Sequence, residues 1–117
     1  AGPMLGVDND AVAVETARKN LLLNQIDPET FELVQGNLSD GVSGKFDLVA
    51  ANILSEVIIE LLDDIPRVLE PGGLFIASGI IEENCAKVLE KMAQVGLLVV
   101  ETIIREKWAA ICAKLPE

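Results

Sequence analysis

The sequence predicts a doubly wound α/β domain: a mostly parallel sheet with helices on its faces and an antiparallel hairpin at its end. Three observations carry this. Short apolar runs that stop on polar side chains, at Asp8, Asn52 and Ser78, alternate with longer stretches of good helix formers. The run Phe46-Asp47-Leu48-Val49-Ala50-Ala51 is apolar at nearly every position, which suits a strand covered on both faces. Two final apolar runs are separated only by Arg105-Glu106-Lys107, too short for a crossover between parallel strands.

Taken in order, Met4-Leu5-Gly6-Val7-Asp8 reads as a strand. Asn9 and Asp10 are potential caps for a helix over Ala11 to Gln25, where Val14, Ala17 and Leu21 share a face. Asp27-Pro28 breaks that helix. Phe31 to Gln35 is the next strand, followed by Gly36-Asn37-Leu38 and a glycine-containing loop from Ser39 to Lys45. The Phe46 strand then runs to Asn52.

Ile53 to Leu69 is helical by composition. Pro66 predicts a break near Asp63-Asp64, with one of these acids capping the second piece, and Glu70-Pro71-Gly72-Gly73 is expected to end the helix. Leu74 to Ser78 is a buried strand. Glu82 to Val95 is a helix with Ala86, Leu89, Met92 and Ala93 inward and Gly96 as its stop. Leu97 to Ile104 and Trp108 to Ala113 form the closing hairpin, with Trp108 expected to pack over the sheet edge.

Composition narrows the chemistry. The 117 residues suit one domain or a piece of one, and 9 basic against 19 acidic residues leave a net charge of −10. A chain this acidic repels phosphate backbones, so direct nucleic-acid binding is not expected. With no His and no Tyr, the chain cannot assemble a serine triad, a cysteine–histidine dyad or a His-ligated zinc site from its own residues. Cys85 and Cys112 have neither metal-ligand spacing nor a disulfide framework and read as packed thiols of a reducing compartment. No apolar run is long enough to span a bilayer, and no signal peptide is evident at the start, so a cytoplasmic location is expected.

In an open parallel sheet, ligands bind beyond the carboxyl ends of the strands, where strand order reverses. The parallel strands end at Asp8, Asn37, Asn52 and Ser78-Gly79, which should share one rim. Asp8 is placed to accept from two ribose hydroxyls or, alternatively, to cap the following helix. Asn37 is either a ligand contact or a turn residue beside Gly36. Asn52 offers both donor and acceptor at the rim, the alternative being a cap for the helix from Ile53. No carboxylate pair has a spacing that specifies metal binding or acid–base work.

Certain segments are familiar in combination: Gly6-Val7-Asp8 before Ala17-Arg18-Lys19-Asn20, Phe46 to Leu54 with its Ala51-Asn52-Ile53-Leu54, Leu69-Glu70-Pro71-Gly72-Gly73, Ser78-Gly79-Ile80, and Glu106-Lys107-Trp108. The chain resembles the class I S-adenosylmethionine-dependent methyltransferases. More narrowly it resembles the PrmA type, protein-lysine and N-terminal-amine methyltransferases acting on large-subunit ribosomal protein eleven. The resemblance implies a Rossmann-like class I methyltransferase fold and S-adenosylmethionine as cofactor. Asp8 would bind its ribose, Asn37 would lie by its adenine, and Asn52 would sit beside the methyl donor and the incoming amine as the catalytic residue.

The family's first strand, its Gly-rich loop and its N-terminal domain are expected to precede Ala1, so residues 1–117 read as a partial catalytic domain. The absent strand belongs between those ending at Asp8 and Asn52. Its loss is expected to expose two strand edges, filled by self-association or a non-native pairing, and to leave the isolated chain nearly inactive. A basic ribosomal protein is the implied partner, drawn to an acidic surface. A class I methyltransferase acting on a small molecule or RNA is the alternative within enzymes, and a non-catalytic α/β binding module the alternative outside them. Asn52-Ile53-Leu54 is not the Asn-Pro-Pro-aromatic motif of the DNA-adenine and glutamine methyltransferases.

Overall fold

A computed structural model describes residues 4–8, 31–35 and 45–117. The helix expected over 11–25, Asn37 and most of the loop before Lys45 lie outside them. The elements are β1 (Met4–Asp8), β2 (Phe31–Gln35), β3 (Phe46–Asn52), α1 (Ser55–Leu61), α2 (Ile65–Val68), β4 (Leu69–Ile81), a 3-10 turn (Glu82–Asn84), α3 (Cys85–Gln94), β5 (Leu98–Arg105) and β6 (Trp108–Lys114). The strands form one sheet in the order β2-β1-β3-β4-β6-β5. The first four run parallel, and β6 runs antiparallel to both β4 and β5. This is the mostly parallel α/β architecture with a terminal hairpin that the sequence predicts.

The period of two along each strand sorts the core. Leu5 and Val7, Val49 and Ala51, Phe75 and Ala77, and Ala109, Ile111 and Ala113 are buried in one apolar cluster with Ile58, Leu61, Ile65, Val68, Val88 and Met92 of the helices. The residues between them on the strands, among them Asp8, Asn52 and Ser78, lie on the opposite face.

At the centre of the sheet the second of the two expected ways of filling the gap is seen, a direct pairing of the flanking strands. β1 pairs directly with β3 along its whole length, from Met4 opposite Leu48 to Asp8 opposite Asn52. The two edges expected to be exposed therefore satisfy each other. Both strands are apolar, parallel and in matching phase, so they close a six-stranded sheet without leaving a row of unpaired amides. Among the described residues, the outermost strands are β2 and β5.

Four local readings also change. Pro71-Gly72-Gly73 lies inside β4 rather than ahead of it: between two register positions β4 advances from Leu69 to Leu74 while β3 advances only from Phe46 to Leu48. The chain after β6 holds this irregularity, the Gly72 amide donating to the Leu115 carbonyl (2.7 Å) and the Leu115 amide to the Gly73 carbonyl (2.9 Å).

The predicted helix break is present, with Pro66 in the first turn of α2 and Asp64 at its N-cap position. Asp64 makes no capping hydrogen bond and instead faces Arg67 at 3.8 Å. Asp63, on the same turn, pairs with Lys91 of α3 at 2.7 Å; with Asp63 largely exposed, this pair contributes at most about 1 kcal/mol. In α3 the inward residues are Cys85, Val88 and Met92, with Leu89 half-buried and Ala86 and Ala93 exposed. Larger side chains occupy the buried stripe because they remove more apolar surface from water. Gly96 ends the segment with φ +87°, as expected.

Trp108 is 54% exposed, not packed over the edge as predicted. Cys85 is buried and Cys112 half-buried, and both are free thiols. Burial raises both above the ordinary 9.0, assisted by the charge of Glu82 at Cys85 and of Glu101 at Cys112. The folded chain then holds these protons more tightly than the unfolded one. Their stabilisation is complete below the unfolded pKa and is lost as pH rises through the folded values. Alkylation at pH 7 is expected to be slow in the folded chain and to accelerate on denaturation; equally fast labelling in both states would contradict the burial of these thiols.

Candidate active site

The carboxyl ends of the parallel strands bring the predicted rim residues into one row. Register places Asp8 opposite Gln35 on one side and Asn52 on the other, and Asn52 opposite Ser78. Opposed residues in a parallel sheet share a face, so Asp8, Asn52 and Ser78 project on one side, about 4.8 Å from strand to strand. Asn37 lies outside the described residues. The Ser78 hydroxyl donates to the Ala51 carbonyl at 3.5 Å, tying β4 to β3 one residue before the rim.

The structure removes the capping alternative for Asn52. α1 starts at Ser55, its N-cap position is Leu54, and no side chain caps it. The third and fourth amides of the helix are bonded from within the chain, Val57 and Ile58 both donating to the Leu54 carbonyl at 3.0 and 2.9 Å. Asn52 ends β3 exposed, with two residues between it and the helix. An amide left at a strand end and not used as a cap can both accept and donate toward a ligand. Asp8 is half-buried beside it, a carboxylate with several acceptor sites.

Two further rim residues were not singled out as site residues from the sequence. Leu54 is 62% exposed immediately after the Asn52-Ile53 step. Its signal was an apolar residue at an N-cap position that normally takes Ser, Thr, Asp or Asn. Gly79 sits beyond Ser78 with φ +74°, where β4 and β6 lose register between Ala77 and Ile80. Among the described residues, no group of three or more His, Cys, Asp or Glu is placed to hold a metal ion. No helix among them is long and apolar enough to cross a membrane.

A parallel sheet ending in an antiparallel hairpin, with a polar row across its carboxyl rim, defines a Rossmann-like fold of the class I methyltransferase type. Solved structures agree: the chain superposes on a ribosomal protein L11 methylase from Lactobacillus delbrueckii subsp. bulgaricus with a TM-score of 0.80 at 26% identity, covering 100% of this chain and 60% of that one. It also superposes on a precorrin-6y C5,15-methyltransferase from Geobacter metallireducens with a TM-score of 0.72 at 15% identity, covering 99% of this chain and 68% of that one, a likeness of fold. The ribosomal protein L11 methyltransferase (PrmA) profile matches residues 1–116, and the chain belongs to that family.

Named ribosomal protein L11 methyltransferases include one from Clostridium botulinum, 47% identical over 111 residues, and one from Brevibacillus brevis, 46% identical over 114. These alignments cover 95% and 97% of this chain but 35% and 36% of the relatives. The chain thus spans about a third of the length of the curated relatives it matches.

Proposed function

We propose that this chain is part of the catalytic domain of a methyltransferase that moves methyl groups from S-adenosylmethionine to lysine or N-terminal amines of a large-subunit ribosomal protein. The single observation that carries the reading is the row Asp8–Asn52–Ser78 at the carboxyl rim of the parallel strands, in a chain of this family. The residue types fit the cofactor's chemistry: a carboxylate that can accept from both ribose hydroxyls and a neutral amide that can face a reacting amine lie on one face of the same rim.

When bound, S-adenosylmethionine supplies an electrophilic methyl group on a sulfonium, so the protein's own task is positioning rather than nucleophilic attack. Asp8 accepts hydrogen bonds from the ribose and fixes the cofactor along the rim. The Asn52 side-chain carbonyl accepts an N–H of the incoming amine and points its lone pair toward the methyl carbon. A free lysine has a pKa of about 10.4, and its ammonium has no lone pair, so the amine must arrive neutral or lose its proton at the site. No residue of this chain is assigned as the general base. Asn37 is proposed to lie by the adenine, on the resemblance alone. The net charge of −10 favours approach of a basic ribosomal protein, an attraction that salt would weaken.

Direct pairing of β1 with β3 also bears on activity. The family pattern implies another strand between them, which would set Asp8 and Asn52 two strand spacings apart, about 10 Å rather than about 5 Å. The narrower spacing leaves little room for a ligand that runs from ribose to sulfonium. The 117 residues alone are therefore expected to bind the cofactor weakly and to turn over little or nothing.

The test uses radiolabelled S-adenosylmethionine, supplied both to the 117-residue chain and to the longest native polypeptide that carries this sequence. Substrates are the ribosomal protein, ribosomal RNA and a small-molecule extract. Label in the ribosomal protein's amines from the longer polypeptide alone is the expected result. Label in RNA or a small molecule would replace the substrate assignment, and robust turnover by the short chain would refute the spacing argument.

A further inference from the structure

The residue that aims Asn52 lies on a different strand. An ideal Cβ built on Gly79 would stand 2.6 Å from Asn52 Oδ1, 3.8 Å from its Cγ and 4.0 Å from the Ile53 carbonyl oxygen. The first of these is closer than real side chains approach, so a side chain at position 79 would require the Asn52 amide, the far end of an exposed side chain, to turn away from its present direction. Gly79 also holds φ +74°, a conformation that L-residues with a side chain rarely adopt. It lies in the irregularity of β4, where three residue steps from Ala77 to Ile80 match two on β6, from Ile111 to Ala109. Such bulges bend a strand and redirect what lies beside it. Asn52 is itself opposite Ser78, the preceding residue of that bulge.

We infer that Gly79 is a positioning residue: the bulge at Ser78-Gly79 forms the floor against which the Asn52 amide rests, and the absence of a side chain there sets the direction of its oxygen. This rests on the proposed role of Asn52 but adds a residue and a mechanism to it. Two features call for glycine at this position: the positive φ, which strains any residue that carries a side chain, and the close approach of the Asn52 amide.

A double-substitution cycle in the longest native polypeptide carrying this sequence tests the inference. Gly79→Ala is expected to lower kcat for methyl transfer about a hundredfold with little change in KM for the cofactor, the cost of a misdirected group. It is also expected to shift the side-chain amide resonances of Asn52. In an Asn52→Ala background the same substitution should cost nothing further. Equal losses in both backgrounds, or unchanged Asn52 amide resonances, would overturn the inference.

Should Gly79→Ala prevent folding, the double variant decides the matter: folding recovered by Asn52→Ala supports the contact, and folding still lost assigns the need for glycine to backbone conformation and refutes it. Full activity of Asn52→Ala alone would strike down the role of Asn52 proposed above. The amide resonances would still report separately on whether Gly79 positions it.

Discussion

Asn52→Ala is expected to reduce methyl transfer by about a hundredfold while leaving the fold and its melting temperature nearly unchanged. The expectation combines two features of one residue. Asn52 closes β3 at the polar rim, in register with Asp8 and Ser78, yet contributes nothing to the buried cluster and caps no helix. Removing its amide thus strips a polar group from the rim without opening a cavity or freeing a helix end. On the proposed reading the loss falls mainly on kcat, because the amide directs the amine only as reaction approaches. Asn52→Asp keeps an acceptor oxygen but adds charge, and is expected to act less well than Asn. An unchanged rate for Asn52→Ala would remove Asn52 from the mechanism.

Asp8→Ala should act on binding rather than turnover. A carboxylate that accepts from two hydroxyls makes two charge-assisted hydrogen bonds, each worth about 1.5–3 kcal/mol. Losing both predicts weakening of cofactor affinity by about a hundredfold or more, read by calorimetric titration with S-adenosylmethionine. Asp8→Asn keeps one acceptor and should fall between the two. Asp8 already has an interaction within the folded chain, so the melt of each variant must be recorded alongside its affinity. Equal affinity in native protein and Asp8→Ala would assign the ribose elsewhere.

The predicted rim was legible because the parallel pairing stops where Val7-Asp8, Ala51-Asn52 and Ala77-Ser78 each switch from a buried apolar residue to a polar one in a single step, although β4 itself continues past Ser78 to Ile81 against β6. The closing hairpin was legible for a similar reason, since Glu106 and Lys107 leave no length for a crossover. Pairing partners were not. Nothing local in Met4–Asp8 distinguishes β3 from another strand as its neighbour; the matching of two apolar parallel edges is a property of the assembled sheet.

The Pro71-Gly72-Gly73 segment misled because its turn chemistry is real, while the hydrogen bonds that draw it into β4 come from Leu115, more than forty positions away. In α3 the apolar period and the inward Met92 were legible, but the buried stripe also takes Cys85 and Val88 and leaves Ala86 and Ala93 outside, a choice made by which face packs on the sheet rather than by local sequence. Asn52 gained most from the structure: the sequence left cap and ligand contact open, and the start of α1 at Ser55 closes the first. Gly79 was legible as part of the Ser78-Gly79 rim, but its approach to Asn52 depends on the register between β3 and β4.

The central claim is that the cofactor lies along the carboxyl rim formed by β1, β3 and β4. Backbone and side-chain amide shifts recorded during titration of S-adenosylmethionine into the longest native polypeptide containing this sequence test it most directly. The account predicts saturable changes concentrated at Asp8, Asn52 and Ser78-Gly79. Saturable binding that leaves these residues unmoved and shifts residues elsewhere, such as Ile103 and Ala110 in the hairpin, would contradict it.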